Sequence, residues 1–267
     1  MHATDASERP ILVTGGTGTL GRLVVPRLRE AGRAVRVLSR SAHEPGDGVV
    51  FATGDLDTGA GIDAAVAGVE VVVHCAGSTT GDEDKAATLV RAASAAGVRH
   101  LVYISVVGAD RLPVRSGVDR AMFGYFASKL AAEQVVADSG LPWTTLRATQ
   151  FHDLLLTTVR QMTRMPVVPV PSGARFQPVD AGEVADRLVA LALGTPAGLV
   201  PDLAGPRVHA LRDLVRADLA ARRKHRLLVP LRLPGRAARA FRDGANLPRG
   251  GVTGRRTWEE FLAEQAG

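Results

Sequence analysis

Short apolar runs rich in Val and Ile alternate, over the first 150 residues, with longer stretches whose apolar positions recur at helical spacing. The runs are Ile11–Val13, Val35–Leu38, Val49–Phe51, Val69–His74, Leu101–Ser105 and Trp143–Arg147, the lengths of buried strands rather than of helices. Between them, Leu20–Ala31, Asp84–Ala96 and Phe126–Ser139 read as amphipathic helices. Parallel neighbours can be joined only by a crossover, so this alternation predicts an α/β fold with a Rossmann-type, doubly wound parallel sheet. Gly32, Gly68, Gly97 and Gly140 each follow an apolar-periodic stretch, where a positive φ closes the last helical turn.

Beyond residue 150 the alternation loosens. Prolines at 166, 169, 171, 178, 196, 201 and 206 cut the chain into short pieces, with one clear helix over Ala181–Leu193 and Asp180 placed to cap it. A chain of 267 residues buries one good core. The expected organisation is therefore a sheet-bearing core over residues 1–150 and a small lobe over residues 151–267. That lobe completes the same single domain, caps its cleft and supplies the substrate pocket.

Composition sharpens this picture. Hydrophobic residues make up 46% and aromatic ones only 4%, so Val, Leu and Ala must fill the core, as in a helix-covered parallel sheet. The first ten residues contain Asp5, Glu8 and Arg9 and no apolar leader, and no later run approaches a membrane span, so a soluble cytoplasmic protein is expected. A single cysteine, Cys75, excludes an internal disulfide and a cysteine metal cluster; it reads as a buried inert thiol in the strand Val71–Cys75, and no metal site is expected. The formal charge of +6 is concentrated in residues 201–267, where 14 Arg and Lys face 7 Asp and Glu. The cluster Arg222, Arg223, Lys224 and Arg226 reads as a solvated surface or subunit contact, because no aromatics are interleaved for base stacking. Neither nucleic acid nor a membrane is expected as a partner, and a homodimer is left open.

The candidate chemistry begins where the first strand runs into Gly15-Gly-Thr-Gly-Thr-Leu-Gly21 and then into a helix. A glycine turn in that position lets the backbone approach a diphosphate, and the helix start presents free N–H groups and the positive end of a dipole. Gly15, Gly18 and Gly21 serve the tight turn, the close approach and the helix–strand packing, with Thr17, Thr19 and Leu20 completing the cradle of a dinucleotide. The second strand ends at Ser39-Arg40 without the acidic residue that would accept from an NAD ribose. A guanidinium there, with Arg22 as a helper, suits a 2′-phosphate, which favours NADP(H) and makes NAD(H) the second choice; the alternative is a pair of exposed loop residues. Asp55 and Leu56 follow the third strand, where an adenine would lie, or form an ordinary turn. Ala76 and Gly77 follow the fourth and are small enough for a cofactor to cross the sheet; His74 reads as packed rather than catalytic.

Ser105 ends the fifth strand, and Tyr125 and Lys129 stand four residues apart in the next helix, on one face. An ammonium near a phenol stabilises tyrosinate, and a serine hydroxyl can hold a substrate oxygen beside it, which is the proton donor that hydride transfer needs. Gln150, Phe151 and His152 follow the sixth strand and are expected along the nicotinamide or substrate side, capping and packing being the competing reading.

With these pieces the chain resembles the short-chain dehydrogenase/reductase superfamily in its atypical, NmrA-like branch. The matching residues are Thr14–Gly21, Gly54–Leu56, Val69–Gly77, Ile104–Gly108, Tyr125–Lys129 with Leu130–Glu133, Leu141–Arg147 and, later, Phe176–Val179 through Ala185. The resemblance implies a roughly seven-stranded parallel sheet, NADP(H), and a catalytic set of Ser105, Tyr125 and Lys129, with Lys129 also a ribose ligand. It implies an oxidoreductase acting on a small carbonyl, alcohol or enone. The alternative within the same branch is a non-catalytic NAD(P)-sensing regulator whose basic cluster docks a partner; a pure assembly factor comes third.

Overall fold

The computed structural model describes residues 9–44, 46, 48–78 and 80–265. In chain order the elements run β1 (Ile11–Thr14), α1 (Gly21–Glu30), β2 (Val35–Ser39), β3 (Val49–Thr53), α2 (Ile62–Val66), β4 (Val71–His74), α3 (Asp82–Ala95) and β5 (His100–Val106). There follow α4 (Gly117–Ala137), β6 (Trp143–Ala148), α5 (His152–Met162), β7 (Val167–Pro171), β8 (Arg175–Phe176), α6 (Ala181–Ala192) and β9 (Gly198–Leu199). The last are β10 (Leu203–Ala204), β11 (His209–Ala210), α7 (Leu211–Ala221), β12 (Leu227–Leu231), α8 (Arg236–Arg242), β13 (Val252–Thr253) and α9 (Trp258–Glu264).

The chain forms two compact units interleaved in sequence. One holds the residues through Ser105 together with Ser128–Leu146 and Val184–Val200; the other holds Val106–Ala127, Arg147–Glu183 and the residues from Pro201 on. In the first, strands lie in the order β3-β2-β1-β4-β5-β6, with β9 added beyond β6. The pairs β2·β3, β1·β2, β1·β4, β4·β5 and β6·β9 are parallel. Every residue of β1, β4 and β5 is buried, as strands covered by helices on both faces must be. Leu12, Leu89, Leu101 and Tyr103 anchor the core between sheet and helices. Gly32, Gly68, Gly97 and Gly140 all have φ between 68° and 76°, as expected.

Helix α4 starts nine residues before the expected Phe126. Ser116 and Asp119 explain the early start: the Ser116 hydroxyl accepts from the Asp119 N–H (3.0 Å) and the Asp119 carboxylate from the Ser116 N–H (3.2 Å), a reciprocal cap. In the second unit, Ala148 at the end of β6 pairs with β10, and β10 with β13. Helices α5, α7 and α9 bury Leu155, Leu156, Leu214, Trp258 and Phe261. Asp180 caps α6 by accepting from the N–H groups of Gly182 (2.8 Å) and Glu183 (3.2 Å). Among the described residues no helix is long and apolar enough to cross a membrane.

Candidate functional site

Strand β1 has β2 on one side and β4 on the other, so the loops after their carboxyl ends depart in opposite directions and leave a crevice. A cavity of about 380 Å³ lies there, lined by Gly15, Thr17 and Gly18 after β1, Ser39 and Arg40 after β2, Gly54–Asp57 after β3, Cys75–Ser78 after β4, and Lys85. The turn after β1 requires glycine. Gly15 has φ +66°, and a Cβ on it would lie 2.6 Å from the Ala76 nitrogen. Within the turn the Gly18 N–H donates to the Gly15 carbonyl (2.9 Å) and the Arg22 N–H to the Gly18 carbonyl (3.0 Å). The amides of Thr17, Thr19 and Leu20 have no backbone acceptor among the described residues. α1 also carries no acidic residue in its first turn and no side-chain cap. Uncommitted N–H groups at an uncompensated positive helix end fit the diphosphate of a dinucleotide.

The rim of the cavity is basic at the end of β2. Arg40 is exposed and forms no ion pair with a described residue, while Ser39 turns to its own loop, accepting from the Ser41 N–H (3.2 Å) and bonding His43 Nε2 (2.9 Å). Arg22 is exposed at the start of α1. Asp55 closes a local turn by accepting from the Asp57 N–H (2.9 Å), and Leu56 is buried beside it. Across the cavity Lys85 pairs with Asp57 (2.7 Å) and donates to the Ser78 hydroxyl (3.2 Å).

Behind this wall runs a chain of buried polar groups that the sequence did not announce. The Thr14 hydroxyl accepts from the Ala76 N–H (3.2 Å) and bonds His74 Nδ1 (2.6 Å). The His74 ring stacks on Tyr103 at 5.4 Å. Lys129 donates to the Tyr103 hydroxyl (3.3 Å) and the Ile104 carbonyl (3.3 Å) and pairs with Asp82 (2.9 Å). Asp82 in turn accepts from the Ser78 N–H (2.7 Å), so the pair also ties down the loop after β4.

Burial, reinforced by the charge of Lys129, pushes the His74 pKa down to about 3 from 6.5. A neutral imidazole in the fold means that the unfolded chain takes up the extra proton as pH falls. The resulting stability is complete above about pH 6.5 and is lost progressively down to about pH 3. Acidification from about pH 7 to about pH 5 should remove about 2 kcal/mol through this residue. Urea titrations should show a shallower pH dependence in His74→Gln; equal slopes in the two proteins would exonerate His74. Cys75, expected inside the fourth strand, lies just past its end on the cavity wall, half-buried, and desolvation pushes its thiol up to about 12.

The other sequence candidates are placed as follows. Ser105 lies one residue before the end of β5, its Oγ buried and without a hydrogen-bond partner among the described residues. Tyr125 and Lys129 share one continuous helix; Tyr125 is half-buried, its ring meeting Phe126 edge-on at 5.7 Å, whereas Lys129 is buried in the polar chain just described. Gln150 and Phe151 are half-buried and joined by backbone bonds to Val179. His152 is wholly buried between Trp258 (5.8 Å) and Phe261 (5.0 Å). The cavity lining therefore unites Gly15, Thr17, Gly18, Ser39, Arg40, Asp55, Leu56, Ala76 and Gly77, and it does not include Thr19, Leu20, Gly21, Gln150, Phe151 or His152.

A family model described as NAD(P)H-binding matches residues 15–192, which span the glycine turn, the cavity and α4. The (4-alkanoyl-5-oxo-2,5-dihydrofuran-3-yl)methyl phosphate reductase of Streptomyces griseus is 34% identical, over 76% of this chain and 70% of that protein. The NAD(P)H azoreductase of Xenophilus azovorans is 32% identical, over 66% of this chain and 60% of that protein. Among solved structures, the Escherichia coli NADPH-dependent quinone oxidoreductase complexed with NADPH has the same fold, with a TM-score of 0.77 at 21% identity over 96% of this chain and 100% of that one. The Citrobacter triphenylmethane reductase complexed with NADP(H) gives 0.76 at 20% identity over 97% and 100%. The chain thus belongs to the NAD(P)H-binding family.

Proposed function

We propose that the protein uses NADPH to reduce a small conjugated acceptor: an enone, a quinone or an azo compound. The observation that carries the reading is the cavity at the β1/β4 switch point, with its amide-lined turn and, at the rim, an arginine that pairs with no described residue. The substrate class draws on three similar proteins, named for an oxo-dihydrofuran, an azo group and a quinone. Each group accepts a hydride at one end of a π-system and a proton at the other. Bound NADPH would supply the hydride. The amides of the Gly15–Leu20 turn would hold its diphosphate and Arg40 its 2′-phosphate, Asp55 and Leu56 would contact the adenine, and the small residues Ala76 and Gly77 would leave room for it. Ser105 anchors the acceptor oxygen, Tyr125 delivers the proton, and Lys129 orients the ribose and supports the phenol electrostatically. Gln150 and Phe151 shape the substrate side.

Purified protein given NADPH and a panel of quinones, enones and azo dyes should consume one NADPH per acceptor reduced by two electrons. Tyr125→Phe should lower kcat at least about a hundredfold at unchanged NADPH affinity; an unchanged kcat removes Tyr125 from the role. Arg40→Asp should weaken NADPH binding about tenfold or more and leave NADH binding intact or better. Calorimetry checks this, and equal dissociation constants for both cofactors in the unaltered protein would overturn the NADP(H) choice. A second reading, a cofactor-sensing binder without turnover, is favoured by one observation: the Lys129 ammonium is already engaged by Asp82. It requires tight NADPH binding and no consumption on any acceptor.

A further inference from the structure

We propose that the outer face of the β7·β12 sheet, with the basic cavity beside it, docks the protein onto a bilayer surface rich in anionic phospholipid. The two strands pair in parallel, with Leu227 opposite Val167, Val229 opposite Pro169 and Leu231 opposite Pro171. Alternation along β7 buries Val168 and Val170 and turns Val167 outward, 46% exposed. On β12, Leu227, Val229 and Leu231 are 64%, 40% and 45% exposed. Neither strand contains a charged residue, although exposed strands ordinarily carry one as protection against association.

Both ends of β12 are basic, with Lys224, His225 and Arg226 before it and Arg232 after it. At the first end lies a cavity of about 380 Å³ in which Arg212 and Arg216 of α7 meet Lys224 and Arg226 over an apolar floor that includes Leu219 and Leu228; no carboxylate lines it. Its shape depends on Arg223, the one described non-glycine residue with a positive φ (52°), which folds the chain back so that the Lys224 N–H reaches the Leu219 carbonyl at 2.8 Å. Arg222 is occupied by Asp218 and Thr163, but Arg212, Lys224 and Arg226 form no ion pair with a described residue, and Arg216 only reaches Asp213 at 3.6 Å.

Apolar side chains that can enter the acyl boundary, ringed by cations at headgroup level, are the two halves of interfacial membrane binding. A second copy fits less well, because a two-fold contact through this face sets basic flanks against basic flanks. Nucleic acid fits less well too: no Phe, Tyr or Trp lines the cavity for base stacking.

The test is sedimentation of the full chain with vesicles of phosphatidylcholine alone or mixed in equal parts with phosphatidylglycerol. Binding to the mixed vesicles alone, weakened by salt, is expected. Arg212→Glu/Lys224→Glu should lower the partition coefficient about thirtyfold or more, and Leu227→Gln/Val229→Gln should lower it independently, both with NADPH affinity unchanged as the control for folding. The proposal is overturned by no sedimentation, by equal binding of both variants and the unaltered chain, or by saturation with inorganic phosphate in a protein that ignores vesicles. It is also overturned by a concentration-dependent dimer that Leu227→Gln/Val229→Gln abolishes, since a second copy would then own the face.

Discussion

Gly21→Ala is expected to lose NADPH binding and much of the protein's stability together, whereas Gly18→Ala is expected to lose binding alone. A Cβ on Gly21 would lie 2.2 Å from the Gly15 carbonyl oxygen and 2.5 Å from the Gly16 Cα, both backbone atoms of the same turn. Neither can yield without opening the turn, and the turn is pinned from outside because Gly15 already lies against Ala76. The expected loss is about 3 kcal/mol or more in urea titration, with NADPH affinity reduced about a hundredfold or more. Gly18 is different. It is exposed on the cavity wall, its φ is ordinary, and an added Cβ would meet the Gly15 oxygen only at 3.2 Å, a contact that small shifts relieve. Stability should change by no more than about 1 kcal/mol, while the methyl intrudes where the diphosphate must approach and lowers affinity about tenfold or more. If calorimetry shows both variants binding NADPH as well as the unaltered protein, the turn is a structural joint and the cofactor reading fails.

The contrast between these two glycines shows what could be read from the chain alone. Gly15, Gly18 and Gly21 were legible because their chemistry is local: a turn between a strand and a helix has few solutions, and only glycine permits the approach to Ala76. The central strands β1 and β4 were legible for the same reason, since burial on both faces writes itself as an unbroken apolar run. The missed start of α4 was present as Ser116 and Asp119 at cap spacing, but the glycines at 117 and 124 weakened the periodicity beyond it. What could not be read was pairing at a distance. Nothing in the neighbourhood of Asp82 announces Lys129, 47 positions on, and nothing near Thr14 announces His74; these contacts exist only because the sheet sets β1 beside β4 and β4 beside β5. His152, expected along the substrate side, is enclosed by two rings of α9, a helix more than a hundred residues later.

Asp82→Leu should destabilise the protein by about 3–5 kcal/mol, and Asp82→Leu/Lys129→Met should recover most of that loss. The reasoning rests on burial: the side chains of Lys129 and Asp82 are 6% and 2% exposed, so removing the carboxylate takes a counter-charge away from an ammonium that water hardly reaches. Replacing both partners by apolar groups removes that penalty as well as the attraction, which is why the double variant should fare better than the single one. Asp82→Asn separates the remaining contribution, because an amide oxygen can still accept from the Ser78 N–H at the cavity wall while the charge is gone. Denaturant titration of the three variants then orders the effects: leucine alone worst, asparagine intermediate, the double variant nearest the unaltered protein. A double variant as unstable as Asp82→Leu would mean that the loop contact with Ser78, and not the ion pair, is what Asp82 contributes.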